Sequence, residues 1–275
     1  MRDILAYANR FESWSPGLEY AARLAASFDA ALTGIYIYPA PLPIAPTYVA
    51  ADFLTYTIEN TRRLEQSACA ARTSFINWAA KLGVQKAAWQ VAEGDVPHVL
   101  ENIGNWHDLL VIDRTTEWPR ESTPLLGQVI LKSRLPCLIA PSTKAPSLSL
   151  DCIALAWNGS PEAIRSIHAA QPFLARAKRV VVLRGASRDA ISEIGWKPEF
   201  ELSDYLQRHG IRAEEKPLMA NDEDAGAALL ASAKAVGANM LVMGAYGRTR
   251  FSEWIFGGAT RHVLNHADIP VFMRH

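Results

Sequence analysis

Residues 239–260 read NMLVMGAYGRTRFSEWIFGGAT, and this stretch decides how the rest of the chain is to be read. Met240 to Met243 is an apolar run of strand type. Gly244 and Gly247 follow with two residues between them, then nine residues from Arg248 to Phe256, then Gly257-Gly258-Ala259-Thr260 where a helix begins. Glycines at those points have a physical use. Without Cβ atoms the backbone turns freely and lets several N–H groups approach a polyphosphate closely. A helix starting near Gly258 adds unpaired N–H groups and the positive end of its dipole. Arg248, Arg250 and Arg261 stand on or beside the loop and can neutralise phosphate charge.

Working outward, the strand and helix of this stretch are the last part of a regular alternation. Before them come a strand Ile153 to Trp157, a helix Pro161 to Leu174, a strand Val180 to Leu183 and a helix Glu199 to His209. A strand Ile211 to Pro217 and a helix Ala225 to Val236 complete the approach; the helix that begins near Gly258 ends near Asn265 and leads to a strand Ile269 to Met273. The first half repeats the order. Ile4 to Ala8 is a strand, and Ser15 and Pro16 are the cap and first-turn residues of a helix. Leu32 to Tyr38 is a strand ended by the proline-rich PAPLPIAP. Tyr48 to Leu82 carries a long helical pattern stopped by Gly83. Val84 to Ala92 is a strand, Asp95 caps a helix, and Leu109 to Ile112 is short and wholly apolar, as strands buried on both faces are. A helix around Leu125 to Leu131 and a strand Cys137 to Ala140 finish the half. The segment STKAPSLSL is small, polar and proline-interrupted, as linkers are.

An internal duplication accounts for this order. The fold class expected is α/β, with two repeated doubly wound five-stranded parallel-sheet domains at 1–141 and 151–275 joined by a linker at 142–150. Strands alternating with helices require right-handed crossovers, and such sheets bind ligands at the carboxyl ends of their strands where the strand order reverses. The loops after strands one and four of each half are therefore where chemistry is expected.

Composition narrows the classes. With 28 Lys plus Arg against 28 Asp plus Glu, the chain lacks the positive excess that nucleic-acid binding draws on. Three scattered cysteines, Cys69, Cys137 and Cys152, suggest neither a disulfide framework nor a cysteine metal site. The opening MRDILAYANR enters a strand directly without a signal-peptide pattern, and no apolar run reaches the roughly 18 residues of a membrane span. A cytoplasmic protein with no membrane partner is the expectation.

The spacing Gly244, Gly247, Gly257 with a small residue next, set between an apolar strand and a helix leading to HADIPVFM, resembles the ATP-binding motif of universal stress proteins. Asn158-Gly159-Ser160 after strand one resembles the Asp-Gly-Ser of that family, and the order of elements matches over nearly the whole chain. The resemblance implies the adenine nucleotide alpha hydrolase-like fold and ATP, with or without Mg2+, held by Asn158, Val182, Gly244, Gly247, Arg248, Gly257, Gly258, Ala259 and Thr260. It implies no catalytic residues, an unidentified protein partner, and two halves packed as a pseudo-dimer that can dimerise again through an edge strand such as Val271 to Met273. The chain departs from the family at Gly258, where relatives usually carry Ser or Thr. A hydroxyl bond to phosphate, roughly 1.5–3 kcal/mol or one to two powers of ten in affinity, is then missing, with Thr260 as a partial substitute. Asn158 accepts a ribose hydroxyl more weakly than Asp.

The first half carries Asp113-Arg-Thr-Thr116 where the two glycines belong, and the Asp113 carboxylate repels phosphate. Gly127 is not the third glycine, because it lies nearer to Pro136 than Gly257 does to Pro270; the equivalent is nearer Thr123. The first half is accordingly expected to bind no nucleotide by this route. His262 and His266 have a ligand-like spacing but no third partner, Ser160 lacks a nucleophile elbow, and neither a P-loop nor a dinucleotide fingerprint occurs. Trp78, Trp89, Trp106 and Trp157 fall where packing is expected, whereas Trp254 lies inside the phosphate loop. Two other functions compete with nucleotide sensing. One is a nucleotide-independent interaction module; the other is a slow ATP hydrolase using Asp222, Glu223 or Asp224, which read more simply as a helix cap.

Overall fold

The computed structural model describes residues 1–40, 51–114, 122–141, 148–185, 201–219, 224–245 and 258–275. The first half runs β1 (Asp3–Ala8), α1 (Pro16–Phe28), β2 (Ala31–Tyr38), α2 (Ala51–Ala70), α3 (Arg72–Lys81), β3 (Ala87–Glu93), α4 (Val96–Gly104), β4 (Leu109–Arg114), α5 (Ser122–Lys132) and β5 (Cys137–Pro141). The second runs β6 (Cys152–Trp157), α6 (Pro161–Leu174), β7 (Arg179–Arg184), α7 (Leu202–Arg208), β8 (Ala213–Pro217), α8 (Ala225–Ala235), β9 (Met240–Gly244), α9 (Gly258–His266) and β10 (Val271–Arg274). The helices α1 and α6 begin alike. Ser15 and Ser160 accept the Leu18 and Ala163 amides at 3.3 and 3.2 Å, and Pro16 and Pro161, which lack an N–H, occupy the first turn.

All the described strands join one sheet in the order β3-β2-β1-β4-β5-β10-β9-β6-β7-β8. Each half is parallel throughout, and the halves meet along an antiparallel β5–β10 seam that pairs Ile139 with Val271, Leu138 with Phe272 and Cys137 with Met273. Leu138 faces Val111 within its own half and Phe272 faces Val242 in the other, so the two residues are equivalent and a pseudo-twofold axis passes between them. The expectation that Val271 to Met273 forms a free edge is corrected here. That strand is hydrogen-bonded on both sides, to β9 and β5, so its backbone groups are already used. The edges of the described sheet are β3 and β8. Along β8, Glu214 and Glu215 form bidentate pairs with Arg179 and Arg184 of β7, a charged rim that discourages further strand addition.

The sheet is covered on both faces. One core holds β1 and β6 side chains such as Ile4 and Ile153 with α1, α3, α6 and α7; the other holds Leu5 and Ala154 with α4, α5, α8 and α9. The long helical pattern in the first half is two helices, broken at Ala71, where the amide bonds the Ser67 and Ala68 carbonyls at 3.3 Å. Gly83, at φ +92°, ends the second. Trp14 packs with Phe75, Trp78 and Trp89, whose ring centroids lie 5.3 to 5.5 Å away, and the Trp89 indole donates to the Ala68 carbonyl. Trp106 departs from expectation. It sits in the turn between α4 and β4, 82% exposed, because that turn carries its side chain past the end of the core.

Candidate functional site

In each half the strand order reverses around its first strand, β1 between β2 and β4, β6 between β7 and β9. The crevice beyond the carboxyl ends of β6 and β9 is therefore the place for a ligand in the second half. Gly244, Asn158, Gly258, Ala259, Thr260 and Val182 lie within the described residues; Gly247, Arg248, Gly257, Arg250 and Trp254 lie outside them.

Gly244 ends β9 directly against the first turn of α6. A Cβ there would stand 2.6 Å from the Ala163 nitrogen and 2.7 Å from the Glu162 carbonyl carbon, so only glycine lets the strand end and helix start approach this closely. Ala245, next in the chain, is fully buried, and its amide bonds the Arg274 carbonyl at 3.1 Å. Asn158 follows β6 and its Oδ1 accepts the Ser160 amide at 3.1 Å. Gly159, at φ +75°, makes that turn.

At the start of α9, a Cβ on Gly258 would meet nothing within 4 Å among the described residues, so the opening turn faces free space there. Thr260 behaves otherwise. It is only 5% exposed and shares the inward stripe of α9 with Val263 and Leu264. A buried Thr260 is not the substitute for the hydroxyl missing at Gly258, because residues two apart on a helix do not share a face. Val182 stands inside β7 rather than at its end and is 1% exposed, so a ligand at the strand ends meets Arg184 and Gly185 first.

The first half shows what happens to the same position without the glycine. Ile4 pairs with Leu109 as Ile153 pairs with Met240, which makes Asp113 the counterpart of Gly244. Counting from the caps Ser15 and Ser160 makes Gly17 the counterpart of Glu162. The two halves have exchanged residues. In one a carboxylate on the strand fits against a glycine on the helix; in the other a glycine on the strand fits against a carboxylate on the helix. A Cβ on Gly17 would fall 1.9 Å from Asp113 Oδ1. Glu162 is buried, with Arg165 Nη1 at 4.0 Å, in the first helical turn where the dipole favours a negative charge. Glycine-spacing arguments missed Glu162; the pairing of a helix start with a strand end would have found it.

Asp113 is 5% exposed and its Oδ1 has no hydrogen-bond partner among the described residues. Burial pushes its carboxyl up to about 6, against the Ser15 hydroxyl, the Gly17 amide and the Arg10 charge, which pull it down. The connection between β1 and α1 spans residues 9–15, whereas that between β6 and α6 spans only 158–160. The longer loop sends Phe11 edge-on to Tyr36 at 4.9 Å and Trp14 into the aromatic cluster. Gly127 lies inside α5, which begins at Ser122, so it is not a helix-start glycine.

His262 and His266 stack at 4.3 Å, and the His266 ring meets the His262 carbonyl at 2.9 Å. Among the described residues no three His, Cys, Asp or Glu side chains group closely enough to hold a metal, and no helix is long and apolar enough to cross a membrane. Asp224 precedes α8 but makes no side-chain cap bond; Asp222 and Glu223 lie outside the described residues. A cavity of about 300 Å³ lined by Asp108, Leu109, His168, Phe173 and Phe272 lies at the amino ends of β1 and β4. That is the end of the sheet opposite to where parallel sheets bind ligands.

Two doubly wound parallel halves joined edge to edge, one of them with a glycine at the end of its fourth strand, define a duplicated α/β protein. Residues 153–275 match the Universal stress protein family, and the second half of the chain belongs to it, with the first half repeating the same fold. Over 99% of its length the chain is similar to a universal stress protein from Archaeoglobus fulgidus, 15% identical, covering 97% of that chain with a TM-score of 0.66. It is similar over 99% of its length to a functionally unknown protein from Pseudomonas aeruginosa, 14% identical, covering 92% of that chain with a TM-score of 0.58. At these identities what is shared is the fold. No curated protein matches the chain.

Proposed function

We propose that the chain is a stress-response regulatory protein that binds ATP in its second half and signals to a protein partner through the conformation that the nucleotide imposes. The observation that carries this reading is the contrast at one equivalent position. The second half ends β9 in Gly244, and a Cβ on Gly258 at the α9 start would meet nothing among the described residues, while the first half places the Asp113 carboxylate at the position of Gly244. A triphosphate at the second position meets the α9 amides and the positive end of that helix, with the exposed Arg261 nearby. Gly247, Arg248 and Gly257 complete the cradle in this reading, and Asn158 offers an acceptor and two donors to the ribose. At the first position the same triphosphate meets a buried carboxylate.

Residues 1–141 are thus the supporting half, 142–150 the linker and 151–275 the binding half, in a cytoplasmic protein. Mg2+, where it accompanies ATP, arrives bound to the triphosphate in this reading. With no hydroxyl at Gly258 and an amide in place of a carboxylate at Asn158, affinity falls roughly one to two powers of ten below that of a relative with both. The conformation that bound nucleotide imposes on the second half is the switch element in this reading. Isothermal titration of the full chain with ATP, with and without Mg2+, tests the reading. One binding event per chain is expected, and no heat at millimolar ATP leaves the nucleotide-independent interaction module as the alternative.

A further inference from the structure

Arg114 ends β4 of the first half, yet its side chain serves the second. Its Nη1 donates to the carbonyl oxygen of Leu264, in the last turn of α9, at 3.4 Å. The guanidinium is half-buried; burial moves its pKa down from the ordinary value, and the charge of Asp268, just past the end of α9, opposes that shift. The last carbonyls of any α-helix have no partner within it. In α9 the Val263 carbonyl is taken by the Ala267 amide at 2.9 Å and the His262 carbonyl by the His266 ring, so Arg114 supplies a partner for Leu264. A cation there also lies at the negative end of the helix dipole.

The contact runs one way. In the registers that align Asp113 with Gly244, the counterpart of Arg114 is Ala245, whose methyl group cannot cap α5 in return. The half with the carboxylate at its switch point therefore anchors the helix of the half with the open one. At nine residues, α9 is shorter than the roughly 12–15 residues at which isolated helices become marginally stable. A helix this short is held by its tertiary contacts, at its first turn the packing of Ala259 against Gly226 of α8 and at its last turn the Arg114 bond, and losing either shortens the helical run.

We infer that Arg114 is a positioning residue through which the first half holds α9, and with it the anion-binding turn at the opposite end of that helix. This inference rests on the nucleotide reading of the second half. Removing the anchor raises the fraction of molecules in which α9 is frayed, and apparent affinity falls with the fraction that remains competent.

The test compares wild-type chain, Arg114→Ala and Arg114→Lys by amide hydrogen exchange without ligand and by titration with ATP. In Arg114→Ala, α9 amides are expected to exchange about tenfold faster while those of α1 and α6 are unchanged, and ATP affinity to drop about tenfold. Arg114→Lys, which keeps a cation at the helix end, recovers most of both. Equal α9 exchange in wild-type and Arg114→Ala chains overturns the inference, as does a lysine variant no better than alanine. Accelerated exchange across the whole sheet also overturns it, because the residue then acts on general stability. Should the wild-type chain bind no ATP, the functional reading fails, and α9 exchange in the ligand-free chains still decides for or against the anchor.

Discussion

Replacing Asp113 by Asn removes a buried charge and keeps the shape of the side chain. In the folded protein burial raises the carboxyl to about 6, from an ordinary value of 3.8. A gap of about two pH units at ~1.4 kcal/mol each amounts to ~3 kcal/mol. Below about pH 4 the group is protonated in both folded and unfolded chains, and the stability associated with its neutral form is fully present. As pH rises toward 6 the unfolded chain releases this proton first, and that stability is lost. Above about pH 6 both states are ionised and the loss is complete. The asparagine amide does not titrate, so the stability of Asp113→Asn minus that of the wild type should climb by ~3 kcal/mol between about pH 4 and 6.5 and then level off. Urea denaturation of both proteins across about pH 3.5 to 8 measures this, and other titrating groups largely cancel in the difference. A flat difference, or one that falls with pH, would refute the argument that burial dominates Asp113.

Three further outcomes follow from the space around glycines at the strand ends and helix starts. Gly258→Ser meets no described atom and supplies the missing hydroxyl, so ATP should bind about tenfold more tightly by titration, with melting unchanged in the absence of ligand. Gly244→Ala drives a methyl group into the α6 backbone and should lose ~1–3 kcal/mol in denaturant midpoint measurements, together with nucleotide binding. Gly17→Ala collides with Asp113 Oδ1, and a double-mutant cycle with Asp113→Gly should recover at least ~1 kcal/mol; strict additivity would show that the two do not compete for one space.

Much of this architecture is legible in local sequence because its causes are local. The pair Ser15-Pro16 recurs as Ser160-Pro161 because both open the helix after a first strand, and wholly apolar runs such as Leu109 to Ile112 arise where both faces of a strand are covered. The contrast between Asp113 and Gly244 could likewise be read at matched places in a repeat. Other features depend on partners far away in the chain. The single helical pattern across Ala71 hid a break, since the periodicity of Leu64, Ala68 and Phe75 continues through it. Thr260 offers a hydroxyl at a plausible distance along the chain, yet its place in the inward stripe of α9 is set by the sheet beneath it.

The sequence by itself determined the duplicated alternation of strands and helices and which half carries the glycines, because periodicity, capping and backbone freedom act over a few residues. The tertiary structure alone decided that β10 is a seam rather than an edge, that Glu162 and Gly17 answer Gly244 and Asp113 across a helix start, and that Arg114 reaches Leu264 at a separation of 150 positions. Those relations arise from how two halves pack about an axis, and no short-range pattern of residues encodes that geometry.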